Sequence, residues 1–403
     1  MSLAEQDAAL FFNTYERLPI EISHGDGCYL FTANGNRYLD LFGGLAVNLL
    51  GYCRREVNEA IITQIQKYSH LSNLFFQSPQ IDVASRLTTL AGYERVFLCN
   101  SGTEATEGAI KLARKWGAAR GTQELVAFHG AFHGRSMGAL SIMENKKYKE
   151  GYEPFLDHCT HVEFNDVVSL ERALNEKTCA VFLEFIQGEG GIQIASTDFV
   201  KALFALKEKF GFLVVADEIQ SGIGRTGRFF SFEHWNVTPD VVLCAKGLGG
   251  GLPLGAILGK ESLAEIFGKG RHGTTFGGNP VACAAGSATL DVIIKKNVMQ
   301  HAQDVGNYFL SHLRSLQEEF PTLIKEVRGM GCMIGVELTV PGKSLVQKCL
   351  DRGLLINCTQ EYVLRFLPPL IITQDQIIEA ITILRRVCQE VAPQFVQCDV
   401  CLT

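Results

Sequence analysis

The chain has 403 residues, enough to bury more than one core, and 47% hydrophobic with 20% charged residues is ordinary for a globular protein. A net charge of −6 without any basic block argues against nucleic acid, and no apolar run approaches the roughly twenty residues of a membrane span. Thirteen cysteines, scattered mostly through apolar runs and without a signal-peptide core at the N-terminus, predict reduced thiols in a cytoplasm, with small metabolites as the ligands.

Residues 1–20 open with a helix-compatible stretch that Asn13-Thr14-Tyr15-Glu16-Arg17-Leu18-Pro19 breaks. Short β-prone runs over 20–41, separated by Gly25-Asp26-Gly27 and Asn34-Gly35-Asn36, predict a small antiparallel sheet. The loop Gly43-Gly44-Leu45-Ala46-Val47-Asn48 follows, and a helix is expected over about 56–68. Val96-Phe97-Leu98-Cys99 reads as a strand, and Asn100-Ser101-Gly102-Thr103-Glu104-Ala105 turns into a helix with Ala109, Ile110, Leu112 and Ala113 on its apolar face. The free amides and positive dipole end of such a turn suit a phosphate, although the turn alone is usually only a cap.

Leu125-Val126-Ala127-Phe128 is the next strand, with Phe132-His133-Gly134-Arg135-Ser136 after its end. By themselves Phe132 reads as core, Arg135 as one half of a surface ion pair and His133 as packing support. Ala180-Val181-Phe182-Leu183 runs into Glu184 and then Phe185-Ile186-Gln187-Gly188-Glu189-Gly190-Gly191. The apolar run 212–216 ends on Asp217-Glu218-Ile219-Gln220, and 29 positions after Asp217 the run 241–245 ends on Lys246 with glycines close behind.

Five strand ends, near Asn100, Phe128, Glu184, Asp217 and Lys246, thus carry candidate ligands, which suits a mostly parallel sheet with its site at the carboxyl edge. A lysine partly desolvated there loses proton affinity and can condense with an aldehyde, while a nearby carboxylate can pair with a ring nitrogen; together they fit pyridoxal phosphate. Beyond Lys246 lie the loop Gly273-Thr274-Thr275-Phe276-Gly277-Gly278-Asn279-Pro280 and a helix over 282–295. An α+β pattern then runs from about 299: a helix to Phe320, a strand over 333–338, a helix near 344–352, a hairpin-like run over 354–367 and an amphipathic last helix. Cys398-Asp399-Val400-Cys401 is the only C-x-x-C pair and reads as structural or incidental, so no metal site is expected.

Asp217-Glu218-Ile219-Gln220, Gly224-Arg225-Thr226-Gly227-Arg228 and Lys246-Gly247-Leu248 resemble the cofactor-lysine region of the class III pyridoxal-phosphate aminotransferases, and the similarity runs from about Asn13 to about Thr373. The branch that acts on acetylornithine is the most similar. The resemblance implies an α/β chain of fold type I, with a large domain built on a mostly parallel sheet and a smaller α+β domain. Residues 1–55 are expected to contribute to the small domain and the substrate channel, 56–298 to form the cofactor domain and 299–403 the small domain.

It also implies roles. Lys246 holds the cofactor, pyridoxal 5′-phosphate, and moves the proton; Asp217 pairs with the ring nitrogen; Gln220 bonds the ring oxygen; Gly102 and Thr103 take the phosphate. Phe132 stacks on the ring, and Glu184 supports the site from behind. Arg135 and Arg365 bind substrate carboxylates, and Glu189 resembles the residue that masks an arginine in ω-aminotransferases. Thr275 is expected to cross to the cofactor phosphate of a partner, which implies a homodimer. Leu45 stands where ornithine aminotransferases carry a tyrosine, and an aliphatic side chain there fits an acylated substrate.

The implied activity is transfer of the terminal amino group of N-acetylornithine to 2-oxoglutarate. Ornithine, succinylornithine or 4-aminobutyrate as donor, an aminomutase and a non-enzymatic binding protein remain as alternatives. Two departures stand out: Gly51-Tyr52-Cys53-Arg54 replaces the family's Gly-His and His-Pro pairs, and Phe185 stands where a proline is common.

Overall fold

The computed structural model describes residues 2–396, so Cys398 and Cys401 lie outside the described residues. The expected N-terminal meander is present as β1 (Ile22–Asp26), β2 (Tyr29–Thr32) and β3 (Arg37–Asp40), paired antiparallel in sequence order.

The centre of the molecule is a seven-stranded sheet. Its strands are β4 (Arg95–Cys99), β5 (Glu124–Phe128), β6 (Cys159–Val162) and β7 (Thr178–Leu183), then, after the short pair β8 (Ile186–Gln187) and β9 (Gln193–Ile194), β10 (Leu213–Asp217), β11 (Val241–Cys244) and β12 (Gly255–Gly259). The order across the sheet is β4-β12-β11-β10-β7-β5-β6. Only β12 runs against its neighbours, so the other strands all point one way and their carboxyl ends share an edge.

Every residue of β7, β10, β11 and β12 is buried, because helices cover both faces. The helix Gly102–Ala118 lays Ala109, Ile110, Leu112, Ala113 and Trp116 on one face, as its spacing predicts. Two strands of this sheet were not expected. In β6 the polar Thr160 and His161 break the apolar pattern at an edge, and β12 is framed by glycines and reads as loop.

A second, antiparallel sheet has the order β13-β14-β17-β16, from β13 (Ile324–Met330), β14 (Met333–Leu338), β16 (Asn357–Thr359) and β17 (Val363–Phe366). The helices Val298–Glu319 and Gln374–Val396 pack together beside it. The expected hairpin over 354–367 is shorter than its apolar run. Its first residues form β15 (Leu354–Leu355), which leaves to pair with β3 and so ties the N-terminal meander to the C-terminal third. Expected helices lie within a few residues of their observed ends, among them Arg55–Ile65, Pro280–Lys295 and Lys343–Leu350. Among the described residues no helix is long and apolar enough to cross a membrane.

The loop after β3 is a left-handed turn: Gly43, Gly44, Leu45 and Ala46 have φ of 57°, 62°, 63° and 65°. Left-handed backbone strains the two residues that carry a Cβ, so it persists only where its surroundings impose it. Asp40 supplies that constraint. One carboxylate oxygen accepts the Phe42 and Gly43 amides at 2.8 and 3.0 Å, and the other accepts the Tyr52 hydroxyl at 2.6 Å. Tyr52, one of the departures from the family pattern, is therefore part of the turn's support, while Arg54 pairs with Glu56 at 2.7 Å.

Candidate active site at the carboxyl edge of the sheet

Asp217 is the last residue of β10 and is 3% exposed. Its register partner on β11 is Leu243, so Lys246, three residues further along the parallel neighbour, reaches the same edge. Lys246 opens a 3₁₀ turn with a φ of 43°, a backbone strain that places its side chain over the edge instead of along the strand. Both line a cavity of about 180 Å³, together with Gly102, Thr103, Phe132, His133, Gly134, Arg135, Glu184, Glu189, Ile219 and Gln220.

Among the described residues no group accepts a hydrogen bond from the Lys246 amine. Burial lowers its proton affinity and the Arg365 charge lowers it further, against the opposing pull of Glu189, Asp217 and Glu184. Asp217 is held at both oxygens: one accepts the Ile219 amide at 3.1 Å, and the other lies 2.7 Å from His133 Nδ1. Glu184, just past β7, accepts the amides of Phe132 at 2.8 Å and Gly188 at 3.2 Å, which ties the Phe132 loop to the Glu189 loop. Burial pushes the Glu184 carboxyl up to about 7, with His133 opposing and Asp217 adding.

At one end of the cavity the helix Gly102–Ala118 begins. Ser101 caps it by accepting the Glu104 amide, and the amides of Gly102 and Thr103 are left without an intrahelical acceptor. A Cβ at Gly102 would stand 2.8 Å from the Ile219 side chain, so the glycine lets the two pack without displacing Ile219. Thr103 Oγ1 accepts the Arg135 amide at 3.0 Å. The Arg135 guanidinium is exposed and rests 3.8 Å over the Tyr148 ring, with the Phe132 ring at 5.4 Å.

At the other end Arg365, 1% exposed on β17, donates to Glu189 Oε1 at 2.6 Å, to Asn357 Oδ1 at 3.2 Å and to Gln220 Oε1 at 3.4 Å. Arg225 of the Gly224-Arg225-Thr226-Gly227 motif is fully buried and donates to the carbonyls of Cys332 and Pro368, fastening the segment that follows Arg365.

The cavity thus gathers nine of the residues expected from the sequence, and Arg365 stands directly behind Glu189 and Gln220. Thr275 is outside it, exposed on its loop. Three neighbours were not singled out as partners of the site: His133, which is more than packing support because it bonds Asp217, Tyr148 beneath Arg135, and Asn357 beside Arg365. His133 lies 84 residues from Asp217, so only the fold pairs them. Phe185, at the other departure, fills an aromatic cluster with Phe232 and Trp235.

The sequence profile of the aminotransferase class-III family matches residues 11–388. This chain is a class III aminotransferase. The acetylornithine aminotransferase of Archaeoglobus fulgidus is 41% identical to it, over 95% of this chain and 100% of that protein. That of Methanocaldococcus jannaschii is 43% identical over 94% and 95%. In structure, this class III aminotransferase resembles the ornithine aminotransferase of Toxoplasma gondii with a TM-score of 0.93 and 30% identity, over 97% of this chain and 95% of that one. The fold is that of the fold type I transaminases.

Proposed function

We propose that this class III aminotransferase transfers the terminal amino group of N2-acetylornithine to 2-oxoglutarate, giving N-acetylglutamate 5-semialdehyde and glutamate. The Glu189–Arg365 pair carries the reading. Glutamate has two carboxylates and needs two cations, whereas acetylornithine, presenting its terminal amine, has one. A cavity with one open arginine, Arg135, and one covered by a movable carboxylate, Arg365, serves both. The names of the relatives at 41% and 43% identity support acetylornithine as the donor.

Pyridoxal 5′-phosphate is the cofactor in this reading, and the residues fit it. The unpartnered Lys246 amine suits its aldehyde, the Asp217 carboxylate its ring nitrogen, the Phe132 ring its face, Gln220 its ring oxygen, and the amides of Gly102 and Thr103 its phosphate. When bound, it supplies the electron sink that stabilises negative charge on the carbon losing a proton. Lys246, with its proton affinity lowered, takes that proton from the carbon bearing the reacting amine and can return it. Asp217 keeps its charge directed into the cavity because His133 and the Ile219 amide hold both its oxygens. Glu184 joins the loops of Phe132 and Glu189 and sets their spacing.

The working form in this reading is a cytoplasmic homodimer with Thr275 serving the partner's phosphate site. Leu74, Phe75, Phe76 and Phe276 are all exposed, and Asn73 and Gln80 bind the carbonyls of Thr274, Gly277 and Gly278, so the apolar stretch and the Thr275 loop form one patch. Eleven free cysteines among the described residues support a reducing compartment. The division at 55/56 and 298/299 is proposed alongside, supported by the separate second sheet.

A panel of donors tested with 2-oxoglutarate as acceptor decides the substrate. N-acetylornithine is expected to have the highest kcat/KM. Ornithine, succinylornithine or 4-aminobutyrate in first place overturns the assignment.

A further inference from the structure

Arg328 and Arg365 lie in one row of the second sheet. Arg328 on β13 is the register partner of Gly335 on β14, and Gly335 is the partner of Arg365 on β17. Register partners direct their side chains to the same face, so the two arginines project side by side with only a glycine between them. The segment Glu189–Ile192 is laid across that face. Glu189 puts its carboxylate on Arg365, and the carbonyls of Gly191 and Ile192 fall on Arg328. Gly335 makes room, since a Cβ there would stand 3.0 Å from that of Ile192.

The grip is specific to a guanidinium. Arg328 Nη2 and Nε donate to Gly191 O at 2.7 and 3.0 Å, Nε also reaches Ile192 O at 3.2 Å, and Nη1 pairs with Glu337 at 2.6 Å. What it holds includes a strained residue: Gly191 takes its φ of 93° freely as a glycine, but Ile192, a β-branched residue, has a φ of 54°. Thr359 Oγ1 and Gln360 Nε2 take the Glu189 carbonyl at 2.7 and 2.8 Å. With the Gly188 amide held by Glu184, the main chain is fastened before Glu189 as well as at and after it, and its side chain is the part left to turn.

We propose that Arg328 is a positioning residue of the amino transfer: it fixes the strained turn at Gly191 and Ile192 so that the Glu189 carboxylate covers Arg365 in one half-reaction and uncovers it by side-chain rotation alone in the other. This rests on the exchange of Glu189 for substrate at Arg365 proposed above. Without Arg328 the turn relaxes, the cover is lost, and Arg365 is left open to α-carboxylates.

The test uses the cofactor-loaded enzyme, Arg328→Gln and the milder Arg328→Lys, which keeps the charge but lacks the fork. Single-turnover rates are measured for glutamate and for acetylornithine, and binding is measured for glutarate, a dicarboxylate with no amine that needs Arg135 and Arg365 together. In Arg328→Gln, glutarate is expected to bind about tenfold tighter and the glutamate-to-acetylornithine rate ratio to rise by a similar factor, with Arg328→Lys between it and wild type. In a Glu189→Ala background the same substitutions are expected to add nothing, because Arg328 acts through Glu189. Equal losses in both half-reactions with glutarate affinity unchanged, or the same shift without Glu189, overturn the proposal. If Glu189→Ala alone leaves ratio and affinity unchanged, the exchange at Arg365 fails first, and the two failures are told apart.

Discussion

His133 Nδ1 stands 2.7 Å from Asp217 Oδ2, and both side chains are buried. Burial alone would lower the imidazole's proton affinity, but the hydrogen bond to Asp217 and its charge outweigh it, so the His133 pKa lies above its ordinary value of 6.5. The stabilisation from this pair is therefore complete below 6.5 and is lost as pH rises through the higher folded-state value. His133→Phe is expected to keep the packing against Phe182, to cost about 1–3 kcal/mol, and to flatten the fall in Tm expected of the parent protein as pH rises above 6.5. Thermal melts of the two proteins across that range check it. A parent Tm that rises with pH there contradicts the assignment.

The unpartnered and cation-shadowed Lys246 amine is expected to be neutral at a lower pH than the ordinary lysine value of 10.5. The rate at which cofactor-free protein takes up pyridoxal phosphate should rise with pH and reach its midpoint below 10.5. Stopped-flow absorbance follows it directly. Lys246→Ala is expected to remain colourless after dialysis and to have no turnover.

Thr275 is exposed in its own chain and shares a patch with four exposed apolar side chains. If it bonds the partner's cofactor phosphate, Thr275→Ala removes a charge-assisted hydrogen bond of about 1.5–3 kcal/mol and should weaken cofactor affinity about tenfold or more. Titration of the cofactor-free protein measures this, and sedimentation gives the oligomeric state. Unchanged affinity, or full activity as a monomer, would exclude the shared site.

The two arginines should separate cleanly by half-reaction. Arg365→Ala is expected to cripple the glutamate half-reaction by about 2–5 kcal/mol, as for one partner of a desolvated pair, while largely sparing that of acetylornithine, and Arg135→Ala, at an exposed residue, to damage both by a smaller amount. Glu189→Ala should favour glutamate over the ω-amine donor. Single-turnover absorbance on each half-reaction reads all three, and equal losses for Arg365→Ala in both would defeat the exchange at that residue.

The sequence by itself determined where the residues that line the cavity sit along the chain. Apolar runs ending in Glu184, Asp217 and Lys246 can be read because a strand buried on both faces must be apolar until it leaves the sheet, so the first charged residue marks its end. The helix starting at Gly102 was legible from its cap, and the N-terminal meander from its turns. What the sequence did not hold was which of those ends meet.

That was decided by strand order and register. His133 finds Asp217, Arg365 finds Glu189 and Arg328 finds the Gly191 carbonyl across 84, 176 and 137 positions, distances over which no periodicity operates. The same holds for β12, which only its pairing with β4 and β11 makes a strand, and for β15, which leaves an apolar run to join β3. The Tyr52–Asp40 bond behind the left-handed turn is likewise invisible in the chain, where Tyr52 reads only as a departure. Burial and local propensity act on neighbours in sequence and leave a pattern there. Polar pairing inside a folded core acts on neighbours in space, and its partners are chosen by the sheet.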